Sequence, residues 1–350
     1  MPLESPRRPA ALRRSAAAAC VVLLALVAGC PTAPPLPPPP QHSDFRFAVI
    51  GDVPYGAAEV PKMDALIAQL NADPGLAFVI HVGDIKGGSE PCSDDFLRQR
   101  LQQIQTLRAP VVFTPGDNDW TDCHRTSAGQ HLPTERLAFL RRLFFADPTR
   151  SIGRPGLALA PQSAVPGFEP FVENAIWLHR RVLFATVHVV GSSNGLEPWR
   201  GMDPSDSEAR PRADRMDEFR SREAAALAWI DTAFDRASAA DAAAVVIAWQ
   251  ANPLFERAAG DSERAGFEAV LARLKARALA FQRPVLLLHG DFHDLIVDRP
   301  LTRAAEPAPK VPWLLRVQTY GSPRVQGVKL HVDASAPAVF AVEPLPVPGH

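Results

Sequence analysis

Apolar residues recur along this chain with two periods, and the switching between them predicts most of its elements. Apolar runs of strand length occupy Phe45–Ile50, Leu76–Val82, Pro110–Thr114, Val182–Val190, Ala244–Trp249 and Val285–His289. Such unbroken runs suit strands buried on both faces. Helical spacing appears between them. Met63, Leu66, Ile67 and Leu70 mark a helix over Lys62–Asn71. Asp94–Leu107 reads as a second helix with Ser93 as its N-cap, and Leu137, Leu140 and Phe144 stripe a third over Thr134–Phe145. Arg222–Ala237 and Phe267–Ala280 are later helices. The order β-α-β-α-β-α predicts a parallel sheet with right-handed crossovers. Leu314–Thr319, Gly327–Val332 and Ala338–Val342 are short strands separated by turns, which suggests antiparallel pairing. Ser151–Gly167 and the polar stretch Asn194–Arg215 read as loops. The expectation is one domain with two sheets, over residues 45–345.

The start of the chain breaks this pattern. Arg7, Arg8, Arg13 and Arg14 precede the uncharged stretch Ala16–Ala28, which is too short to favour a spanning helix. It runs into Val27-Ala28-Gly29-Cys30, which resembles the lipobox of a bacterial lipoprotein signal. That resemblance implies a signal peptide over 1–29, lipidation of Cys30 and a membrane partner reached through the lipid. Residue 31 is Pro rather than Asp, so the inner-membrane retention signal is absent. Seven prolines between Pro31 and Pro40 make 30–44 a polyproline linker. The expected location is therefore a bacterial envelope, in the periplasm or on the outer membrane.

Composition adds bounds. The chain has 350 residues, is 47% hydrophobic and carries a formal charge of −1, so its bulk charge indicates no nucleic-acid partner. Of its four cysteines, Cys20 leaves with the signal and Cys30 carries lipid. Cys92 and Cys123 remain, in loops expected side by side beyond neighbouring parallel strands, and export lets them form a disulfide.

The chemistry lies at the strand ends. Gly-Asp closes four apolar runs, at Asp52, Asp84, Asp117 and Asp291, while Gly260-Asp261 follows no strand and serves as a control. An Asp after a strand is also an ordinary turn or cap residue. Four of them in β-α-β order would crowd carboxylates into the crevice beyond the strand ends, where ligands of open α/β sheets bind. Such a cluster needs cations, and oxygen donors suit divalent metals.

Gly51-Asp52-Val53-Pro54, Gly83-Asp84, Gly116-Asp117-Asn118-Asp119 and Gly290-Asp291-Phe292-His293 together resemble, in order and spacing, the motifs of the calcineurin-like metallophosphoesterases. The resemblance implies an α/β fold, the four-layer α-β-β-α sandwich of that type. It implies hydrolysis of a phosphate mono- or diester by a metal-activated hydroxide. By position, Asp52, Asp84 and His293 would hold one ion, and Asp84, Asp117, Asp291 and Gln250 or Asn252 the other. Asn118 and Asp119 occupy the catalytic positions.

The letters depart from the family pattern. Pro54, Asp117, Asn118 and Asp291 replace its usual residues, and no His follows the strand ending at Trp249. His81, His188, His289 and His124 are possible replacement ligands, although each residue also suits an ordinary core or loop. Tyr55, Lys86 and Arg125 are candidate phosphate contacts. With oxygen ligands in place of imidazoles, the expected cofactor is a pair of divalent ions of the Mn²⁺, Mg²⁺, Ca²⁺ or Fe²⁺ kind rather than Zn²⁺. The alternative is a non-catalytic or weakly metal-binding lipoprotein that keeps the fold.

Overall fold

The structure, a computed structural model, describes residues 44–347. The signal segment, Cys30 and the linker up to residue 43 lie outside the described residues. In chain order the elements are β1 (Phe45–Ile50), α1 (Val60–Asn71), β2 (Leu76–His81), α2 (Asp94–Ile104), β3 (Val111–Phe113), α3 (Pro133–Phe144), β4 (Ala160–Pro161), β5 (Ala175–His179) and β6 (Val182–Thr186). They continue with α4 (Gly191–Gly195), α5 (Ala213–Ala239), β7 (Ala244–Ala248), α6 (Glu268–Phe281), β8 (Val285–His289), β9 (Ile296–Asp298), β10 (Leu314–Gln318), β11 (Gly327–Val332) and β12 (Phe340–Leu345).

Two sheets form. The first has the order β12-β11-β1-β2-β3 and the second β4-β5-β6-β7-β8-β10-β9. Side-chain alternation explains their stacking. Leu286 and Leu288 of β8 enter a core shared with Phe47, Phe78 and Phe184, which lies between the sheets. Val285 and Leu287 face the other way, into the core beneath α5 and α6. Likewise Ala48 and Val79 face α1, α2 and α3. Two sheets back to back, each with helices outside, make the α-β-β-α sandwich.

The helical spacing translates directly into buried faces. Met63, Leu66, Ile67 and Leu70 are the buried residues of α1. Ser93 caps α2, its side chain accepting from Phe96 N at 3.3 Å. The late strands meet the expected antiparallel pairing only in part, at β11 and β12. β10 runs parallel to β8, and β11 lies in the other sheet, antiparallel to β1 and β12. Alternation along a strand sets which face is buried; it does not name the neighbour.

Candidate active site

Strands β1, β2, β3 and β8 end on one side of the sandwich, and their four Gly-Asp aspartates meet there. The backbone turns sharply at three of them. Asp52, Asp84 and Asp291 have φ of 55°, 53° and 82°, and His293 has 64°. Non-glycine residues in this region cost energy and gather at functional sites. The glycines make the crowding possible. A Cβ on Gly116 would collide with Asp84 Oδ1, and one on Gly290 with Asp52 Oδ2. Each glycine therefore leaves room for the carboxylate of another strand. The control behaves as an ordinary cap: Asp261 Oδ1 accepts from Glu263 N at 2.9 Å, away from this cluster.

Donors from several elements fix the carboxylates. Asp291 N donates to Asp52 Oδ1 at 3.0 Å, and Asn252 N to Asp291 Oδ2 at 2.8 Å. Asn118 N lies 3.0 Å from both Asp84 Oδ1 and Asp117 Oδ1. Asp84 Oδ2 receives Asn118 Nδ2 at 2.8 Å, the Tyr55 hydroxyl at 3.1 Å and Gln250 Nε2 at 3.2 Å. Asp119 turns inward and accepts from the amides of Asp84, Ile85 and Gly116 at 2.8–3.0 Å, tying the β2 loop to the β3 loop. Burial nonetheless pushes Asp119 up to about 6, against the pull of those amides. Burial first, and then the neighbouring charges, hold Asp52, Asp84 and Asp291 well above the usual carboxylate range.

Other predicted residues are placed differently. The Asn252 side chain is engaged elsewhere, donating to Gln318 Oε1 at 3.0 Å and accepting from Leu254 N at 2.9 Å. Gln250 enters the cluster with the opposite polarity to that expected. Its carbonyl oxygen accepts from Gly191 N at 2.6 Å, so its NH₂ faces the carboxylates. His188 pairs with buried Glu173 at 2.7 Å. His81 packs against Phe113 on the helix side of β2, and His289 Nδ1 lies 3.0 Å from Gly290 O. His124 Nδ1 accepts from Gly201 N at 3.2 Å. None of these four histidines is hydrogen-bonded to a Gly-Asp carboxylate among the described residues. Lys86 spends its ammonium on the carbonyls of Gly87 and Glu90, both at 3.1 Å. Arg125 stands at the rim, 2.8 Å from Asp122.

Two residues at the site escaped the sequence reading. Ser192 Oγ donates to Asp117 Oδ2 at 2.6 Å and lies 3.1 Å from Asp122 Oδ1. Burial, then the charge of Asp117, pushes Asp122 up to about 8. Ser192 sits in α4, a single left-handed turn in which Ser192, Ser193 and Asn194 all have φ of 51–55°. The short Gly-Ser-Ser-Asn-Gly run is the only signal that a turn should fall there. A cleft of about 870 Å³ opens beside Asp117 and Asp291, walled by Leu196, Met216, Phe267 and Phe292 among others.

The donor set suits a cation on one side of the cluster. Among the described residues, no group of three or more His, Cys, Asp or Glu is already drawn together as a metal cage. Yet Asp52 Oδ2 is buried with no hydrogen-bond partner among them. His293 Nδ1 lies 2.7 Å from Ser322 O, which fixes the proton there and leaves Nε2 as a lone pair, 4.0 Å from Asp52 Oδ1. A backbone carbonyl orienting the far nitrogen is the usual support of a ligating imidazole.

The family profile of the calcineurin-like phosphoesterases matches residues 45–295. The chain belongs to that family. No curated protein sequence matches it. Among solved structures it is similar to GAP50, the anchor in the inner membrane complex of Plasmodium, at 10% identity and a TM-score of 0.44 over 87% of this chain and 90% of that one. It is similar to purple acid phosphatase PPD1 from yellow lupin (Lupinus luteus) at 12% identity and a TM-score of 0.47; the match covers 88% of this chain and 55% of the phosphatase. It is also similar to the phosphopantetheinyl hydrolase PptH of Mycobacterium tuberculosis at 13% identity and a TM-score of 0.41, over 81% and 91% of the two chains.

Proposed function

We propose that this protein is a metal-dependent phosphoesterase, exported and anchored by lipid at Cys30. The observation that carries the catalytic reading is the convergence of Asp52, Asp84, Asp117 and Asp291 beside a cleft, with an orphaned Asp52 Oδ2 and a bare His293 Nε2 that lies 4.0 Å from the other oxygen of the same carboxylate. Asp52 and His293 would anchor the metal, with Asp84 beside them. When bound, it would supply Lewis-acid polarisation of the phosphate and a water made acidic enough to attack near neutral pH. The chain's own residues do the rest. Tyr55 and the Asn118 amide line the approach to Asp84. Arg125, held by Asp122, presents a guanidinium at the rim that suits two phosphate oxygens. The apolar part of the cleft wall, Leu196, Met216, Phe267 and Phe292, would pack against the ester group.

Asn118 has no titratable proton to give to a leaving group, so esters with good leaving groups should turn over best. The test is hydrolysis of p-nitrophenyl phosphate and bis(p-nitrophenyl) phosphate by chelator-treated protein, with and without added Mn²⁺. Metal-restored release of nitrophenol is expected. Absence of turnover for both esters under every metal tried would leave the non-catalytic reading in its place. For the anchor, mass spectrometry of the membrane fraction should find an acylated peptide beginning at Cys30.

A further inference from the structure

We propose that the centre binds one divalent ion tightly rather than two, and that Gln250 is the residue that sets this number. The inference rests on the metal-dependent reading above and departs from the pair of ions expected from sequence. Its ground is an asymmetry in the hydrogen bonding. On one side, Asp52 Oδ2 has no partner among the described residues, and His293 Nε2 is free to donate a lone pair. Mg²⁺ is usually held through only one or two carboxylates and keeps several waters, so a carboxylate and an imidazole would anchor an ion of that size.

Most oxygens of the other side already accept hydrogen bonds. Asp117 Oδ1 accepts from Asn118 N at 3.0 Å, and its Oδ2 takes the Ser192 hydroxyl at 2.6 Å. Asp291 Oδ2 accepts from Asn252 N at 2.8 Å. Asp84, the carboxylate that two ions would have to share, holds three donors on Oδ2 and one on Oδ1. At the centre stands Gln250, wholly buried. An amide can present either its oxygen or its nitrogen to a cation, and only the oxygen binds. Here the choice is made by Gly191 N, which lies 2.6 Å from Gln250 Oε1. Rotating the amide by half a turn would oppose two N–H groups at that distance and leave Oε1 facing Asp84. Gln250 therefore gives the cluster a proton donor where a second ion needs a lone pair.

The test uses the full chain, stripped with chelator and titrated with Mn²⁺ alone by calorimetry, with metal content measured after dialysis. One equivalent is expected, with the resolved hyperfine spectrum of an isolated Mn²⁺ in electron paramagnetic resonance. Gln250→Glu keeps the shape and replaces the donor with an acceptor. It should bind two equivalents and show the broadened spectrum of exchange-coupled ions. Should Gln250→Glu fail to fold, Gln250→Asp, an acceptor at both oxygens, carries the same expectation. His293→Ala should weaken the single ion by at least about 10-fold. Two equivalents of similar affinity in the unaltered chain would overturn the inference while leaving a phosphoesterase intact. One equivalent in both proteins would remove Gln250 from its role. No binding at all would end this inference and the metal-dependent reading together.

Discussion

At the scale of residues, two kinds of buried group carry opposite consequences. Asp84 lies at the crossing of four donors and beside the orphaned Asp52, so its charge organises the whole cluster. Asp84→Asn would remove the charge and set an amide nitrogen against at least one of those donors. Metal-dependent turnover should fall by at least about 100-fold, above the 10–100-fold typical of residues one step from a metal. Steady-state kinetics at saturating Mn²⁺ measure this. His81 is the second kind. Burial lowers it to about 3, so it is neutral in the folded protein and takes up a proton on unfolding as pH falls below about 6.5. Its contribution is thus intact above that pH and lost progressively toward pH 3. Between pH 7 and 5 the linkage amounts to about 2 kcal/mol. His81→Asn keeps an acceptor for Gly83 N, at 3.2 Å from His81 Nδ1 in the wild type. Urea titrations should show a shallower loss of stability with acid in the variant; equal slopes would refute the assignment. The aspartates were legible from sequence because Gly-Asp after an apolar run recurs. The polarity of Gln250 was not, because it depends on Gly191, fifty-nine residues away. Ser192 was hidden for the same reason, since nothing local in the sequence says that it meets Asp117.

At the scale of elements, α4 is the costliest piece of backbone. Three successive non-glycine residues in the left-handed region each cost about 1–2 kcal/mol. Buried groups pin the turn. Asn194 Oδ1 accepts from Arg222 Nη1 at 2.5 Å, its carbonyl accepts from Arg222 Nη2 at 2.8 Å, and its Nδ2 donates to Gly266 O at 2.9 Å. Ser193→Gly should relieve strain and stabilise by about 0.5–1 kcal/mol, with glycine's extra freedom in the unfolded chain offsetting part of the gain. Asn194→Ala should destabilise by about 3 kcal/mol, because it strips one partner from a buried guanidinium and the side-chain donor from Gly266 O. Opposite signs in chemical denaturation are the expected result. The disulfide is the other brace. Cys92 and Cys123 are bonded, with Cα atoms 5.7 Å apart, joining the loops after β2 and β3 as their parallel neighbourhood suggested. The sequence separation of 31 corresponds to about 3–4 kcal/mol in the chain-entropy account, so reduction should lower the melting temperature without unfolding the protein. Strands β1, β2, β3, β7 and β8 were readable because burial on both faces leaves unbroken apolar runs. Strands β4, β5 and β9 were missed. β9 is only partly buried, at the edge of its sheet, and its three residues are too few to show a period.

At the scale of the molecule, fold and site are coupled through charge. The sandwich brings aspartates from both sheets to one end, β1, β2 and β3 supplying three and β8 the fourth. Folding therefore buries like charges that the separated chain would keep in water, a cost the cores on either side must outweigh. Two sheets in one domain were legible from periodicity and element order, and their four-layer stacking was implied by the family resemblance; the pairing of β11 with β1 was not legible, because it joins segments nearly the whole domain apart. A bound cation relieves the repulsion only in the folded state, where the aspartates are together. It should then stabilise the protein by mass action, by about 2.7 kcal/mol at a free concentration one hundred times its dissociation constant. The expected observation is a melting temperature that rises with Mn²⁺ and falls again with chelator. Asp52→Asn removes the orphaned oxygen and part of the repulsion at once. The metal-free variant should match or exceed the metal-free wild type in stability, while its response to Mn²⁺ should largely vanish. A variant less stable without metal, yet still stabilised by it, would show that Asp52 serves packing rather than the ion. The two readouts separate a side chain that supports the fold from one retained for its ligand, because only the second kind stabilises the chain when it is removed.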